Sequence, residues 1–175
     1  MHNKVVFRAA AALNDAGLIT LRINFRGVGQ STGQHDQGRG EREDVRAGLD
    51  YLSANYPDSS ITLCGFSFGA RVGLEVGIAD QRVRYLIGVG TPLNSYNFEF
   101  LEACRKPLLL VHGEHDEFGN VERVKEMAAR LEKHTQVRLV VIPNAGHFFE
   151  NSLDELKRAI TDWITEQLTA TDNHR

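Results

Sequence analysis

The sequence has little cysteine, no long hydrophobic run and no large excess of charge of one sign. Its two cysteines, Cys64 and Cys104, are too few for a disulfide framework, and their spacing matches no zinc site. No apolar stretch approaches the roughly 18 residues that a membrane-spanning helix needs, and the N-terminus lacks the apolar core of a signal peptide. These absences predict a cytoplasmic protein that does not enter a membrane.

The charge of the chain is close to balanced. It contains 20 Lys and Arg residues against 23 Asp and Glu residues, which gives a net charge of −3. Such a chain has no basic field that would attract nucleic acid or anionic lipid. With 175 residues, of which 42% are hydrophobic, it is long enough to bury a core of its own. We therefore expect a single domain over residues 1–175, with neither nucleic acid nor a membrane as a partner.

Helical and strand patterns alternate along the whole chain, which is typical of a parallel sheet with helices on its faces. Helical periodicity predicts helices near residues 3–15, 45–52, 68–79, 121–131 and 153–168. Short apolar runs predict strands near residues 18–25, 61–64, 85–89, 107–112 and 137–142. The polar tail, residues 169–175, is expected to fray. The pattern thus predicts an α/β fold, a three-layer sandwich with a mostly parallel sheet of about five strands.

A Gly-x-Ser-x-Gly pattern, from Gly65 to Gly69, lies between a predicted buried strand and a predicted helix. In that context the pattern forms a nucleophile elbow, a sharp turn that lifts the hydroxyl of the central serine clear of the sheet. The helix that begins there aims N–H groups and the positive end of its dipole at an anion forming beside the serine. Ser67 is therefore the candidate nucleophile.

Two further polar side chains follow predicted strands farther along the chain. Asp116 follows the fourth strand and His147 follows the fifth, and the carboxyl ends of parallel strands meet at one edge of a sheet. Histidine, with an ordinary pKa near 6.5, can take the proton of a serine hydroxyl, and a buried carboxylate can orient the imidazole. We predict Ser67 as the nucleophile, His147 as general base and acid, and Asp116 as the orienting carboxylate, with Glu114 and Glu117 as alternative acids.

Four stretches together resemble the α/β-hydrolase superfamily, most closely the small bacterial serine hydrolases related to dienelactone hydrolases. They are NFRGVGQSTG (residues 24–33), CGFSFG (64–69), LVHGEHD (110–116) and GHFF (146–149). The resemblance extends over nearly the whole chain. It implies a minimal α/β-hydrolase fold and a carboxylesterase-like reaction on a small-molecule ester, through an acyl-enzyme and with no metal or organic cofactor.

The N-terminal end departs from the superfamily pattern. In relatives, a further strand precedes the first helix and lies between the first two strands predicted here, and the loop after it supplies one oxyanion N–H group. The resemblance assigns the other donor to the backbone N–H of Phe68, and Met1, His2 or Asn3 are candidates to replace the missing one. An exposed pairing edge beside the core favours association, so we expect a homo-oligomer.

Three aromatic residues, Phe98, Phe118 and Phe148, lie in or beside the predicted site loops. Aromatic side chains at such positions either fill the core or line a substrate pocket. We treat these three as candidates for the pocket. Too few residues separate the third and fourth strands for a large lid, so the expected substrates are small and fairly soluble.

Other interpretations of the same residues stay open. A catalytically weak or inactive binding protein of this fold is the main alternative to an enzyme. The glycines of residues 27–33 resemble a dinucleotide-binding loop, although no helix starts within them. His112 and His115 have a spacing that metal ligands use, without a third histidine to complete a site. Arg26 either orients an anionic substrate group or pairs with a nearby acid, and we favour the pairing.

Overall fold

In the computed structural model, which describes residues 3–172, the strands form one parallel sheet in chain order. This described part contains the strands β1 (Ile61–Phe66), β2 (Val83–Val89), β3 (Leu108–Gly113) and β4 (Val137–Ile142). Its α-helices are α1 (Lys4–Asp15), α2 (Arg39–Asn55), α3 (Phe68–Ala79), α4 (Val121–Leu131) and α5 (Leu153–Asp172). A short 3₁₀ helix, Glu99–Ala103, lies between β2 and β3. The α/β class with a parallel sheet, predicted from the alternation of patterns, is confirmed.

The core lies on both faces of the sheet because successive strand residues point to opposite sides. Leu108 and Leu110 of β3 pack in a cluster with apolar residues of α2, α3 and α4. Leu109 and Val111 of the same strand pack in a second cluster with residues of α1 and α5. Fully burying one such leucine contributes about 1.5–3 kcal/mol. These two clusters make the sheet the middle layer of three.

The helices α1 and α5 pack against each other beneath the sheet. The hydroxyl of Thr161 donates a hydrogen bond to the carbonyl oxygen of Ala12 at 3.2 Å. At the carboxyl end of α1, Lys157 Nζ lies 2.6 Å from a carboxylate oxygen of Asp15. Elements that are nearly 150 residues apart in the chain are thereby joined.

The predicted boundaries differ from the observed ones at the element ends. The predicted bounds of the helix at residues 68–79 and of the strand at residues 137–142 match those of α3 and β4. The strand β1 continues two residues beyond its predicted end. The last helix extends to residue 172, so the part of the tail up to that residue is helical rather than frayed. Residues 173–175 of the predicted tail lie outside the described residues.

The predicted first strand, residues 18–25, is not part of the sheet, and the described sheet has four strands rather than about five. We call residues 18–25 the edge segment. A cavity of about 1080 Å³ is lined on one side by the edge segment and on another by β1. Strands must approach to about 4.8 Å to pair, and the edge segment lies across this cavity from β1 without pairing with it. The homo-oligomer that we expected from an open edge stays a prediction.

The loop after the edge segment is fixed to α2. The backbone N–H and the guanidinium of Arg26 both donate to the carboxylate of Asp44, at 2.9 Å. The fully buried carboxylate of Glu41 accepts from the backbone N–H groups of Asp36 and Gly38, each at 2.8 Å. Arg26 therefore has the structural role that we favoured. Because α2 begins after this whole loop and not within residues 27–33, the geometry of a dinucleotide-binding loop is not formed.

Between residues 3 and 172, no helix has both the length and the apolar character needed to cross a membrane. Within the same range, no group of three or more His, Cys, Asp or Glu side chains is placed to hold a metal ion; His112 is buried, whereas His115 is exposed. Cys64 and Cys104 are free thiols, and burial raises the pKa of Cys64 to about 12.

Replacing Asp44 by asparagine tests the contribution of the ion pair with Arg26. The hydrogen bond from Arg26 holds the pKa of the Asp44 carboxyl below its ordinary value, so the pair stabilises the fold above the unfolded pKa of about 3.9. This contribution is lost as the pH falls through the lower, folded pKa. Because solvent screens a partly exposed pair, Asp44→Asn should lower the Tm at pH 7 by only a few degrees.

Thermal unfolding at pH 7 and at pH 3 measures this difference. The gap in Tm between the wild type and Asp44→Asn should narrow at the lower pH. The matched control is Asp58→Asn, at an exposed loop residue, which should leave the Tm nearly unchanged at both values. An equal gap at the two pH values would contradict a charge-dependent role for Asp44.

Candidate active site

Ser67 occupies a strained turn between β1 and α3. Its φ of 54° and ψ of −121° lie in a region that side-chain-bearing residues rarely adopt. The turn is so tight that a Cβ atom on Gly65 would lie 2.4 Å from the carbonyl oxygen of Gly69. The Ser67 N–H donates to the Val89 carbonyl of the neighbouring strand at 2.9 Å, which ties the turn to the sheet. Glycine at residue 65 is thus a steric requirement of the elbow.

Ser67, His147 and Asp116 are joined by two hydrogen bonds. His147 Nε2 lies 2.8 Å from Ser67 Oγ, and His147 Nδ1 lies 2.9 Å from Asp116 Oδ2. The imidazole is nearly buried and the carboxylate fully so. Because an ionised carboxylate only accepts, we assign the ring proton to Nδ1, which leaves Nε2 free to accept the serine proton. The three side chains that the sequence singled out are therefore brought together.

Two loops carry Asp116 and His147 to the carboxyl edge of the sheet. Asp116 follows β3 and His147 follows β4, and the two loops touch at Gly113, where a Cβ atom would lie 2.5 Å from the carbonyl oxygen of Ala145. The backbone N–H of His115 donates to that same carbonyl at 2.9 Å. Close packing of backbone on backbone leaves these loops little freedom to change the separation of the two side chains.

The alternative acids, Glu114 and Glu117, do not contact the imidazole through hydrogen bonds. A carboxylate oxygen of Glu114 accepts from the backbone N–H of Asn144 at 2.8 Å. A carboxylate oxygen of Glu117 accepts from the backbone N–H of His147 at 3.4 Å. Both acids therefore hold the histidine loop, and Asp116 alone of the three faces the ring nitrogen.

The backbone N–H of Phe68 opens α3, where the first N–H groups have no acceptor within the helix. It lies beside the serine and is available to an anion that forms there. Asn3 lines the cavity that Ser67 and Phe68 also line. Its side-chain oxygen caps α1 by accepting from two backbone N–H groups, and its N–H groups stay candidates for the second donor. Met1 and His2, the other candidates for a second donor, lie outside the described residues.

Three aromatic rings surround the imidazole of His147. The ring centroids of Phe66, Phe118 and Phe148 lie 5.0, 4.6 and 5.1 Å from that of His147. Phe118 and Phe148 are 41% and 48% exposed and line the cavity beside Ser67. Phe66, the first variable residue of the Gly-x-Ser-x-Gly pattern, was not among the three pocket candidates, because aromatic residues near an elbow commonly fill the core.

The third pocket candidate, Phe98, lies elsewhere. It is 4% exposed and packs in the core cluster, with its ring centroid 5.6 Å from that of Phe100. It immediately precedes the 3₁₀ helix Glu99–Ala103, whose turn directs it inward. It does not line the cavity that contains Ser67, so the expectation that it does is corrected.

The comparisons with known proteins agree with this fold. The model of the family described as "Alpha/beta hydrolase domain" matches residues 1–171. An uncharacterised protein of Rickettsia prowazekii is 36% identical over 171 residues, which cover 94% of this chain and 72% of that protein. An alpha-beta serine hydrolase homologue from Coxiella burnetii is 39% identical, with a TM-score of 0.82, over 93% of this chain and 76% of its own.

A solved structure from Xanthomonas campestris, described as a member of the a/b serine hydrolases without lid, is also similar. It is 35% identical, with a TM-score of 0.86, and the match covers 95% of this chain and 75% of that one. Each of these proteins is longer than the segment that matches. The likeness extends through the elbow and through both loops that carry polar site residues, since it covers nearly all of this chain.

The two glycines of the elbow should respond differently to alanine. Gly65→Ala places a methyl group against backbone atoms of Gly69 and Ala70, which cannot yield without opening the turn. At Gly69 the nearest atom to a new Cβ is a ring carbon of Phe25 at 3.9 Å, an ordinary contact. We expect Gly65→Ala to cost about 1–3 kcal/mol and to lower the Tm by several degrees, with Gly69→Ala as the tolerated control. Thermal unfolding measures both, and equal Tm values would contradict the steric argument.

Proposed function

This chain belongs to the alpha/beta hydrolase family, and from that premise we propose that it is a serine hydrolase that cleaves small carboxylic esters. The observation that carries the proposal is the continuous hydrogen-bonded path from Asp116 through His147 to Ser67, with distances of 2.9 and 2.8 Å. Serine alone is a weak nucleophile, and it needs an adjacent base that a third group orients. That combination of groups supports acyl transfer.

In the first half of the reaction, Ser67 Oγ attacks the carbonyl carbon of the ester while its proton moves to His147 Nε2. The positive charge on the imidazole is stabilised by the Asp116 carboxylate. The negative charge moves to the carbonyl oxygen, where the Phe68 N–H and the N-terminus of α3 face it. The tetrahedral intermediate collapses, the C–O bond to the alcohol breaks, and the leaving alkoxide takes the proton from His147.

The second half repeats these steps with water in place of the serine. His147 Nε2 takes a proton from water, the hydroxide attacks the acyl carbon on Ser67, and the bond to Oγ breaks. Ser67 recovers its proton from the imidazole and the carboxylic acid leaves. The proton transfers in both halves use Ser67 and His147, whose Oγ and Nε2 atoms lie 2.8 Å apart.

The rings of Phe118 and Phe148 support an apolar or aromatic group on the substrate. Both are half-exposed and flank the imidazole that must reach the leaving alcohol. Between β2 and β3 the chain forms only the short helix Glu99–Ala103, which leaves the site uncovered from that side. The Xanthomonas campestris relative is described as lacking a lid, and we extend that property to this chain as part of the proposal.

A binding protein that reacts poorly or not at all is the second candidate. One observation favours it: Phe68 is the one oxyanion donor that we assign among residues 3–172. Loss of a single oxyanion donor typically costs about 10²–10³ in kcat. The same site would still bind an ester and react slowly with an activated reagent, so the rate of turnover separates the two candidates.

Hydrolysis of short-chain p-nitrophenyl esters by the wild type and by Ser67→Ala tests the proposed function. We expect activity that Ser67→Ala abolishes, because no other hydroxyl lies at His147 Nε2 among the described contacts. The matched control is Ser95→Ala, at an exposed serine outside the site, which should retain full activity. A fluorophosphonate probe should label the wild type and Ser95→Ala but not Ser67→Ala.

Two other outcomes of this experiment are informative. Labelling without measurable turnover would favour the binding protein with an incomplete oxyanion hole. Turnover that persists in Ser67→Ala would contradict the assignment of the nucleophile.

Replacing Phe118 or Phe148 by alanine tests the proposed pocket. A contact between two aromatic rings contributes about 0.5–1.5 kcal/mol to binding in addition to the burial of apolar surface. We therefore expect KM for an aryl ester to rise roughly 2–12-fold. The rise should be smaller for the ethyl ester of the same acid. Phe7→Ala removes an exposed ring on α1 that does not line the cavity and serves as the control. Equal changes in KM for the aryl and ethyl esters would contradict a role in binding the alcohol.

A further inference from the structure

His112 is a buried titratable group for which the proposed mechanism has no use. It is the fifth residue of β3 and is 1% exposed. Burial lowers its pKa below the ordinary value for histidine, so the ring is neutral near pH 7. The ring does not line the cavity that contains Ser67, and it therefore touches neither the nucleophile nor a substrate bound there.

One hydrogen bond fixes the tautomer of this ring. His112 Nε2 is paired with the carbonyl oxygen of Gly119, and a carbonyl oxygen only accepts, so Nε2 carries the proton. His112 Nδ1 is then an unprotonated acceptor that is buried and has no hydrogen-bond partner among the described residues. A buried polar ring with one unsatisfied nitrogen costs free energy of folding. The hydrogen bond that Nε2 makes with Gly119 is therefore the contact by which this ring can act.

Gly119 connects His112 to the proposed catalytic carboxylate. The Gly119 N–H donates to Asp116 Oδ1 at 3.1 Å, beside the N–H of Phe118 at 2.8 Å. With Oδ1 held by these two donors, Oδ2 is turned toward His147 Nδ1 at 2.9 Å. Gly119 thus links the two groups through its backbone: its carbonyl oxygen accepts from the His112 ring, and its N–H donates to the Asp116 carboxylate that faces His147.

The packing at Gly119 makes this connection stiff. A Cβ atom on Gly119 would lie 2.2 Å from the carbonyl oxygen of Thr91 and 2.9 Å from Cε1 of His112. The backbone of Gly119 is therefore held between a neighbouring loop and the imidazole ring. Displacement of the His112 ring would remove both its packing against Gly119 and its hydrogen bond to the Gly119 carbonyl oxygen.

We propose that His112 is a positioning residue that sets the orientation of the Asp116 carboxylate through Gly119. Its Nε2 lies 3.7 Å from Asp116 Oδ2, too far for a direct hydrogen bond, so it acts through the backbone of Gly119. The effect on rate rests on the proposed function. The orientation of the carboxylate belongs to the resting protein and can be measured without turnover.

Two substitutions separate the hydrogen bond from the bulk of the ring. In His112→Leu the donor is lost, and in His112→Gln a side-chain N–H remains near the place of Nε2. Since misplacement of a catalytic group by about 1 Å can cost 10²-fold in rate, we expect kcat for ester hydrolysis to fall roughly 10–100-fold in His112→Leu. KM should change less than about twofold because binding does not involve the carboxylate. His112→Gln should recover kcat to within about threefold of the wild type.

Val111→Ala is the matched control for damage to the strand. Val111 is buried in β3 next to His112 and packs in the core cluster that contains residues of α1 and α5. Its truncation should lower the Tm about as much as His112→Leu does, and should leave kcat unchanged. A kcat for Val111→Ala as low as that of His112→Leu would overturn the positioning role, as would a wild-type kcat in His112→Leu.

Proton NMR of the resting protein gives a readout that does not depend on turnover. The proton between His147 Nδ1 and Asp116 should resonate far downfield, and its loss in His147→Ala assigns it. We expect this resonance to shift or vanish in His112→Leu and to persist in His112→Gln and Val111→Ala. If the resonance follows this pattern while the wild type hydrolyses no ester, His112 keeps its positioning role and the proposed function fails. A resonance that is unchanged in His112→Leu, or missing from the wild type, would overturn the proposal.

Discussion

The contact between the backbones of Gly65 and Gly69 is the constraint on which the site depends. Only a residue without a side chain permits the strand β1 to turn at once into α3, and that turn forces Ser67 to a positive φ. The same turn sets the start of α3 beside the serine hydroxyl, so the nucleophile and the N-terminal N–H groups are positioned by a single feature. The strain at Ser67 is retained because the sheet, through Val89, holds the turn from the other side.

The burial of Asp116 explains why so many donors surround one carboxylate. An ionised carboxyl group removed from water is costly unless it is fully hydrogen-bonded. Two backbone N–H groups hold one oxygen and the imidazole of His147 holds the other. A donor set of this kind orients the carboxylate and also compensates for its removal from water, so the position of the imidazole depends on the conformation of the loop after β3. The close contact of Gly113 with the histidine loop serves the same end.

Much of the fold could be predicted from the sequence, because α3 and β4 carry strong local patterns with clear ends. The edge segment could not: Ile19, Leu21 and Ile23 alternate as a strand does, but a strand also needs a partner at pairing distance, which periodicity does not contain. Phe98 was misplaced for a similar reason, since its position in a loop does not reveal that the following turn directs it into the core. The grouping of Ser67, Asp116 and His147 was predictable because parallel strands end at one edge. The partner of His112 was not, since it is a backbone atom seven residues away.

The packing of α1 against α5 has a consequence for the order in which the molecule forms. The strands neighbour one another in chain order, so each can join the sheet after a single crossover connection has been synthesised. The helix α1 precedes all four strands in the chain, and its apolar face packs with α5, which follows them. The part of that face that α5 covers stays exposed until α5 is made, and transiently exposed apolar surface is prone to aggregation. The helix α1 is thus synthesised before the four strands, but its burial is completed only after them.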